Sequence, residues 1–77
     1  MGVKMKNKEN NEVKFNEDEL MKNIFETVRK SRVVTTSEIS NKFNVSWNTA
    51  EKYLLELALE GKVERMKKSG VNLWVIR

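Results

Sequence analysis

The stretch TSEISNKFNVSWNTAEKYLLELALEG, residues 36–61, decides the fold because it contains two helical patterns separated by a tight turn. Ile39 and Phe43 lie four residues apart, so both project from one side of a first short helix. Asn44 interrupts this pattern, and Asn readily adopts the left-handed conformation that closes a helix C-terminus. Ser46 is a favourable N-cap for a second helix, because its hydroxyl can accept a hydrogen bond from a free backbone N–H.

The second helix of this stretch is indicated by apolar residues at helical spacing, namely Ala50, Tyr53, Leu54 and Leu57. Gly61 then ends the helix. Two helices joined by so short a turn cross instead of lying side by side, and this crossing leaves one face of the second helix exposed. The stretch therefore predicts a helix-turn-helix.

The C-terminal residues change to the period of β-strands. Residues 62–66, KVERM, and residues 73–76, LWVI, flank a polar turn that contains glycine, which is typical of a β-hairpin. A lone hairpin is marginal in water. We therefore expect Val63 and either Trp74 or Leu73 to hold the hairpin against the helices.

The N-terminal part of the domain predicts another helix and a short strand. Asn16 is a suitable N-cap for a helix that runs to about Arg29, and its apolar stripe consists of Leu20, Ile24 and Val28. Val33 and Val34 form a β-branched run that can join the hairpin as a short third strand. Thr35 or Thr36 caps the helix that follows.

The order of these residue types resembles the winged helix-turn-helix domain of bacterial and archaeal transcription regulators. Those domains show an acidic, apolar and small triplet, then apolar-Ser-x-x-Thr-apolar, then Leu-x-x-Leu-x-x-x-Gly. The matching segments here are 38–40, 45–50 and 54–61, and the resemblance covers roughly residues 17–77. It implies an α+β fold of three helices followed by a two-stranded hairpin, the wing, and it implies a DNA-binding regulator.

The composition limits the function and the domain organisation. The chain of 77 residues contains no Cys and no His, so the usual zinc ligands and the commonest general base are absent. We therefore predict no catalytic residue, no metal site, no cofactor and no enzymatic activity. Residues 1–15 are rich in Lys and Asn and predict a disordered or loosely packed basic arm before a domain at residues 16–77. This arm is either a solvated tail, which its two acidic residues favour, or a contact to phosphates.

The exposed face of the third helix is the first part of the predicted site. Asn48 has a side-chain amide that can pair with adenine, and Lys52 suits guanine or phosphate. Ser46 and Thr49 offer hydroxyls to phosphate oxygens. We include Trp47 in the site, although its position near the core boundary favours packing over contact with a base or sugar.

The second part of the predicted site consists of cations outside that helix. Lys67 and Lys68 lie at the tip of the wing, and Arg65 and Arg32 add positive charge. Together with the formal net charge of +4, they favour a polyanionic partner. The sequence thus predicts a transcription regulator that binds double-stranded DNA with sequence preference. Its third helix would enter the major groove while the wing contacts the backbone.

Two acidic residues on the third helix, Glu51 and Glu56, oppose phosphate binding, and we expect them to pair with Lys52 or Lys62. Without a membrane-spanning run or a signal peptide, the chain is predicted to be cytoplasmic. If it binds DNA, it is expected to be associated with the nucleoid.

An apolar pair, Leu55 and Leu59, defines the alternative function. Both residues face away from the predicted core at helical spacing, which suggests a covered surface. Either the arm or the wing lies over them, or they contact a partner protein or a second copy in a homodimer. Under the latter interpretation, the same fold serves as a protein-interaction module, because fold alone does not determine function.

Overall fold

The computed structural model describes residues 16–77 of the chain. The elements are α1 (Glu17–Ser31), β1 (Val33–Thr35), α2 (Thr36–Phe43), α3 (Trp47–Leu59), β2 (Val63–Lys68) and β3 (Val71–Ile76). This arrangement confirms the predicted α+β fold of three helices followed by a β-hairpin, and it includes the short third strand. The arm predicted at residues 1–15 lies outside the described residues.

Helix α1 begins where the sequence predicted and ends later. The side-chain oxygen of Asn16 accepts hydrogen bonds from the backbone N–H groups of Asp18 and Glu19, at 2.9 and 3.2 Å. The helix continues past the predicted end at Arg29, because the reversal of the chain occurs only at Arg32, whose φ is 74°. The buried stripe consists of Leu20, Ile24 and Val28, as predicted.

The turn between α2 and α3 has the geometry that its sequence indicated. Asn44 adopts the left-handed conformation, with φ 56° and ψ 45°. The hydroxyl of Ser40 donates to the carbonyl oxygen of Val45 at 2.7 Å, which ties the two sides of the turn together. Ser46 caps α3 by accepting the backbone N–H of Thr49 at 3.0 Å. Helix α3 ends just before Gly61, as predicted.

The sheet has the strand order β1-β3-β2, and both pairings are antiparallel. The turn of the hairpin consists of Ser69 and Gly70, whose φ angles are 53° and 78°. Positive φ at both central residues gives the turn the right-handed twist of the strands that it joins. The hairpin forms a wing whose base is paired with β1.

The core lies between the three helices and the inner face of the sheet. Its fully buried large side chains are Trp74, Ile24, Ile39, Leu54, Leu57, Val28 and Val63. Of the two residues proposed to anchor the hairpin, Trp74 is the one in the core, whereas Leu73 is only half-buried. The register explains this choice, because Trp74 lies opposite the buried Val34 of β1.

Replacing Asn44 tests the turn on which the crossing of α2 and α3 depends. The glycine variant (Asn44→Gly) should exceed the alanine variant (Asn44→Ala) in unfolding free energy by about 1 kcal/mol, because an alanine Cβ clashes in the left-handed region. Urea unfolding followed by far-UV circular dichroism measures the difference. An alanine variant as stable as the glycine variant would contradict the left-handed geometry.

Candidate nucleic-acid interface

The N-terminal half of α3 presents polar side chains to solvent. Asn48 and Lys52 are exposed, and Thr49 is half-buried. The hydroxyl of Ser46 donates to the Thr49 hydroxyl at 2.9 Å in addition to capping the helix. Ser46 therefore serves the structure of the helix first, whereas Asn48 and Lys52 remain accessible to a ligand.

Trp47 does not pack as the sequence suggested. Its side chain is 47% exposed, although its position near the core boundary had favoured burial. The reason is that it occupies the first position of α3, before the buried stripe that starts at Ala50. Its ring instead borders a cleft next to the wing.

Lys52 lies beside an aromatic ring on the same helix. Its ammonium nitrogen is 5.5 Å from the ring centroid of Tyr53, which is the range of a cation–π contact. Tyr53 is buried, and this burial raises the pKa of its hydroxyl, so the ring stays neutral under Lys52. The contact positions the Lys52 charge without neutralising it.

The two lysines at the wing tip lie on opposite faces of the hairpin. Lys67 pairs with Asn72 and Lys68 pairs with Val71 across the strands. Side chains alternate between the two faces of a strand, and Asn72 faces the helices, because its amide bonds with Glu51. Lys67 therefore points to the side of α3, and Lys68 points to the outer face.

The arginines of the predicted site are separated from each other. Arg65 lies opposite Trp74 in the register, on the same face of β2 as Lys67, and it is exposed. Arg32 precedes β1 and accepts the backbone N–H of Ile76 at 3.0 Å. This position is at the end of the sheet remote from the wing tip, about 13 Å away along β3. The structure does not bring Arg32 together with the other predicted residues.

A chain of hydrogen bonds fixes the wing to the helices. The indole N–H of Trp74 donates to the Thr36 hydroxyl at 2.9 Å, and this hydroxyl donates to the Glu51 carboxylate at 2.8 Å. The second oxygen of Glu51 accepts from the Asn72 amide at 3.1 Å. We call these four residues the relay. It joins α2, α3 and β3 at one point.

The relay corrects the expectation for the acidic residues of α3. Glu51 was expected to pair with Lys52 or Lys62, but it bonds across the fold to residues 15 and 21 positions away. Lys62 instead forms an ion pair with Glu60 at 3.4 Å. Sequence reasoning missed the relay because none of its bonds joins neighbouring residues, and no local pattern indicates them.

A cleft separates the beginning of α3 from the wing. It has a volume of ≈ 400 Å³. Its lining residues come from the start of α2, the start of α3 and the wing tip: Thr35, Thr36, Ser37, Trp47, Lys67, Gly70, Val71 and Asn72. The predicted site residues Trp47 and Lys67 thus line one concave surface, together with Thr36 and Asn72 of the relay.

The apolar pair at the end of α3 is exposed, as the sequence indicated. Leu59 is 88% exposed and Leu55 is 37% exposed. Within residues 16–77, no helix is long and apolar enough to cross a membrane, and no cluster of acidic side chains is suited to hold a metal ion.

Comparison with known proteins assigns the chain to a family that its motifs did not suggest. The sequence model of the S25 ribosomal protein family matches residues 2–73 of the 77. Searches of curated proteins and of solved structures gave no match. The match includes most of the predicted arm together with the three helices and most of the wing.

This match contradicts the function predicted from the sequence. The resemblance to transcription regulators identified the architecture correctly and the family wrongly. Sequence-preferring binding to double-stranded DNA, transcription regulation and association with the nucleoid are therefore not supported. The alternative, a homodimer or partner-protein module built on Leu55 and Leu59, has no support either. The error has a physical reason, because a degenerate helix-turn-helix pattern specifies the packing of two helices and not the ligand.

Replacing Thr36 with valine tests the relay. The variant (Thr36→Val) keeps the shape of the side chain but leaves the buried Trp74 N–H without an acceptor. It should lose about 2 kcal/mol of unfolding free energy, measured by urea unfolding. The control is Thr27→Val on α1, where the hydroxyl bonds only to the carbonyl of Asn23 within its own helix. Equal losses in the two variants would show that the relay contributes nothing beyond an ordinary helix contact.

Proposed function

Because the chain belongs to the S25 ribosomal protein family, we propose that it is a component of the ribosome and binds ribosomal RNA. The match over residues 2–73 is the observation that carries this proposal. The formal charge of +4 supports it, since a polyanionic partner is favoured by a basic chain of this size. The function is binding and not catalysis, and its place is the cytoplasm, where ribosomes work.

The RNA-binding face that we propose consists of the N-terminal half of α3 and the wing. Lys52, Lys67 and Lys68 are exposed there and can each neutralise a phosphate. Arg65 adds a fourth cation on the inner face of the wing. Because Lys67 and Lys68 point to opposite faces, the wing can contact backbone on both of its sides.

An RNA duplex cannot be contacted by α3 in the way that was predicted for DNA. The major groove of an A-form duplex is deep and narrow, and side chains cannot read it. Helix α3 therefore lies along the backbone and the shallow groove instead of entering a major groove. Asn48 has both a donor and an acceptor, which suits a ribose 2′-hydroxyl or the edge of an unpaired base.

The distribution of charge orients the protein on its RNA. The first turn of α1 carries Glu17, Asp18 and Glu19. Asp18 borders the same surface depression as Leu57 and Glu60 at the end of α3. Asp18 thus lies near the C-terminal end of α3, away from Trp47. Repulsion there favours a one-sided contact through the beginning of the helix.

Ribosome association tests the proposed function directly. The tagged full chain should sediment with ribosomal subunits in a sucrose gradient. The triple alanine variant of Lys52, Lys67 and Lys68 should lose most of this association, because three phosphate contacts are removed. The charge-matched control replaces Lys22, Lys30 and Lys42, which lie on α1 and α2, and it should sediment as the original chain does. If the unchanged chain does not sediment with ribosomal subunits, the proposed function is wrong. If both variants lose the same amount of association, the proposed RNA-binding face is wrong.

Salt dependence tests the contribution of the wing separately. Affinity of the full chain for purified ribosomal RNA should fall linearly in a log–log plot against salt. Replacing Lys67 and Lys68 with alanine should reduce the magnitude of the slope by roughly 1.4–1.8, since each neutralised phosphate contributes about 0.7–0.9. Fluorescence anisotropy over a salt series measures the slope, and the Lys22 and Lys30 double variant is the control. An unchanged slope would exclude the wing from the RNA contact.

A further inference from the structure

The cleft between α3 and the wing holds the one large exposed aromatic ring within residues 16–77. The two tryptophans of the chain differ sharply, because Trp74 is fully buried whereas Trp47 is 47% exposed. A half-exposed indole at the edge of a concave surface has one face available to a planar ligand. Every nucleobase has such a planar face, and stacking of bases on aromatic side chains is a general mode of single-strand recognition.

A cation lines the same cleft as this ring. Lys67 lines the cleft together with Trp47, on the side of the hairpin that faces the helices. An aromatic ring beside an ammonium group matches the two parts of a nucleotide, the base and its phosphate. Lys68, one residue along the strand, points to the other face and lines no part of this cleft.

Of residues 16–77, none that lines the cleft is acidic, and two carboxylates are hydrogen-bonded to residues of its lining. Glu51 accepts from Thr36 and Asn72, and Glu38 accepts the backbone N–H of Thr35 at 2.9 Å. These bonds hold both carboxylates to the protein. Trp47 and Lys67 are both exposed residues of the lining.

The volume of the cleft is compatible with a single nucleotide and not with an RNA double helix. Its volume of ≈ 400 Å³ lies in the range of sites that bind small molecules. A double helix cannot enter such a space, whereas a single extruded nucleotide can. Specific recognition of RNA is directed mainly at unpaired bases in loops and bulges.

Resting on the proposed function, we propose that this cleft receives one unpaired nucleotide of the bound RNA. The base stacks on the indole of Trp47, and the adjoining phosphate contacts the ammonium of Lys67. The cations on the remainder of the face hold the flanking duplex. The protein would thus recognise a bulged or looped position in a helix and not the helix alone.

Three synthetic RNA hairpins of the same stem test the inference. One is fully paired, one has a single bulged adenosine, and one has an abasic residue at the bulge. The bulged adenosine should increase the affinity of the full chain roughly tenfold over the paired and abasic hairpins, as expected for stacking of one base. It should also quench the emission of Trp47, which the Trp47→Phe variant distinguishes from the emission of the buried Trp74.

Matched variants separate stacking from folding and from charge. Trp47→Ala should bind all three hairpins alike, while Trp47→Phe should keep most of the preference for the bulged adenosine. Lys67→Ala should weaken the bulged hairpin more than Lys68→Ala does. Far-UV circular dichroism of each variant establishes that it is folded.

The outcomes distinguish this inference from the proposed function. Salt-dependent binding of all three hairpins with equal affinity and no quenching would overturn the inference and leave RNA binding intact. A bulge preference that is retained by the abasic hairpin would also overturn it, because the preference would then come from backbone flexibility. Failure to bind any hairpin or ribosomal RNA would overturn both.

Discussion

The structure depends on a single hydroxyl, that of Thr36. It accepts the indole N–H of Trp74 and donates to the carboxylate of Glu51, so it acts both as acceptor and as donor in a residue that is only 2% exposed. A buried polar group without a partner costs more than an ordinary hydrogen bond contributes. The three groups therefore fix one another. Since they belong to α2, β3 and α3, the same interaction sets the position of the wing relative to the helix that it accompanies.

The elements that the sequence predicted are those determined by neighbours in the chain. Asn44 and Ser46 act on the turn between them and on the next few residues, so their effects can be predicted from the sequence without a structure. The relay is different, because its bonds span 15, 21 and 38 residues. A Glu on an exposed helical face predicts an ion pair along that helix, and only the folded chain shows that Glu51 reaches the wing.

The function was less predictable than the fold for a reason that lies in the residues themselves. Lys52, Lys67 and Lys68 are proposed to contact phosphate, and phosphate is common to DNA and RNA. A helix-turn-helix pattern constrains the crossing of two helices, so it recurs wherever that crossing is useful. Nothing in the spacing of these cations distinguishes a B-form groove from an A-form one. The family match over residues 2–73 is the observation on which the proposal of RNA rests.

An exposed lysine by itself adds affinity for phosphate but does not select a particular shape of RNA, since its side chain is long and flexible. In this chain, the wing fixes the directions in which two such lysines point. Alternation along β2 directs Lys67 to the cleft and Lys68 away from it, and the bond from Asn72 to Glu51 holds that strand pair against α3. The selectivity proposed for this face therefore resides in the distance between Trp47 and the wing. That distance is maintained by the hydrogen bonds that join Glu51 to Thr36 and Asn72.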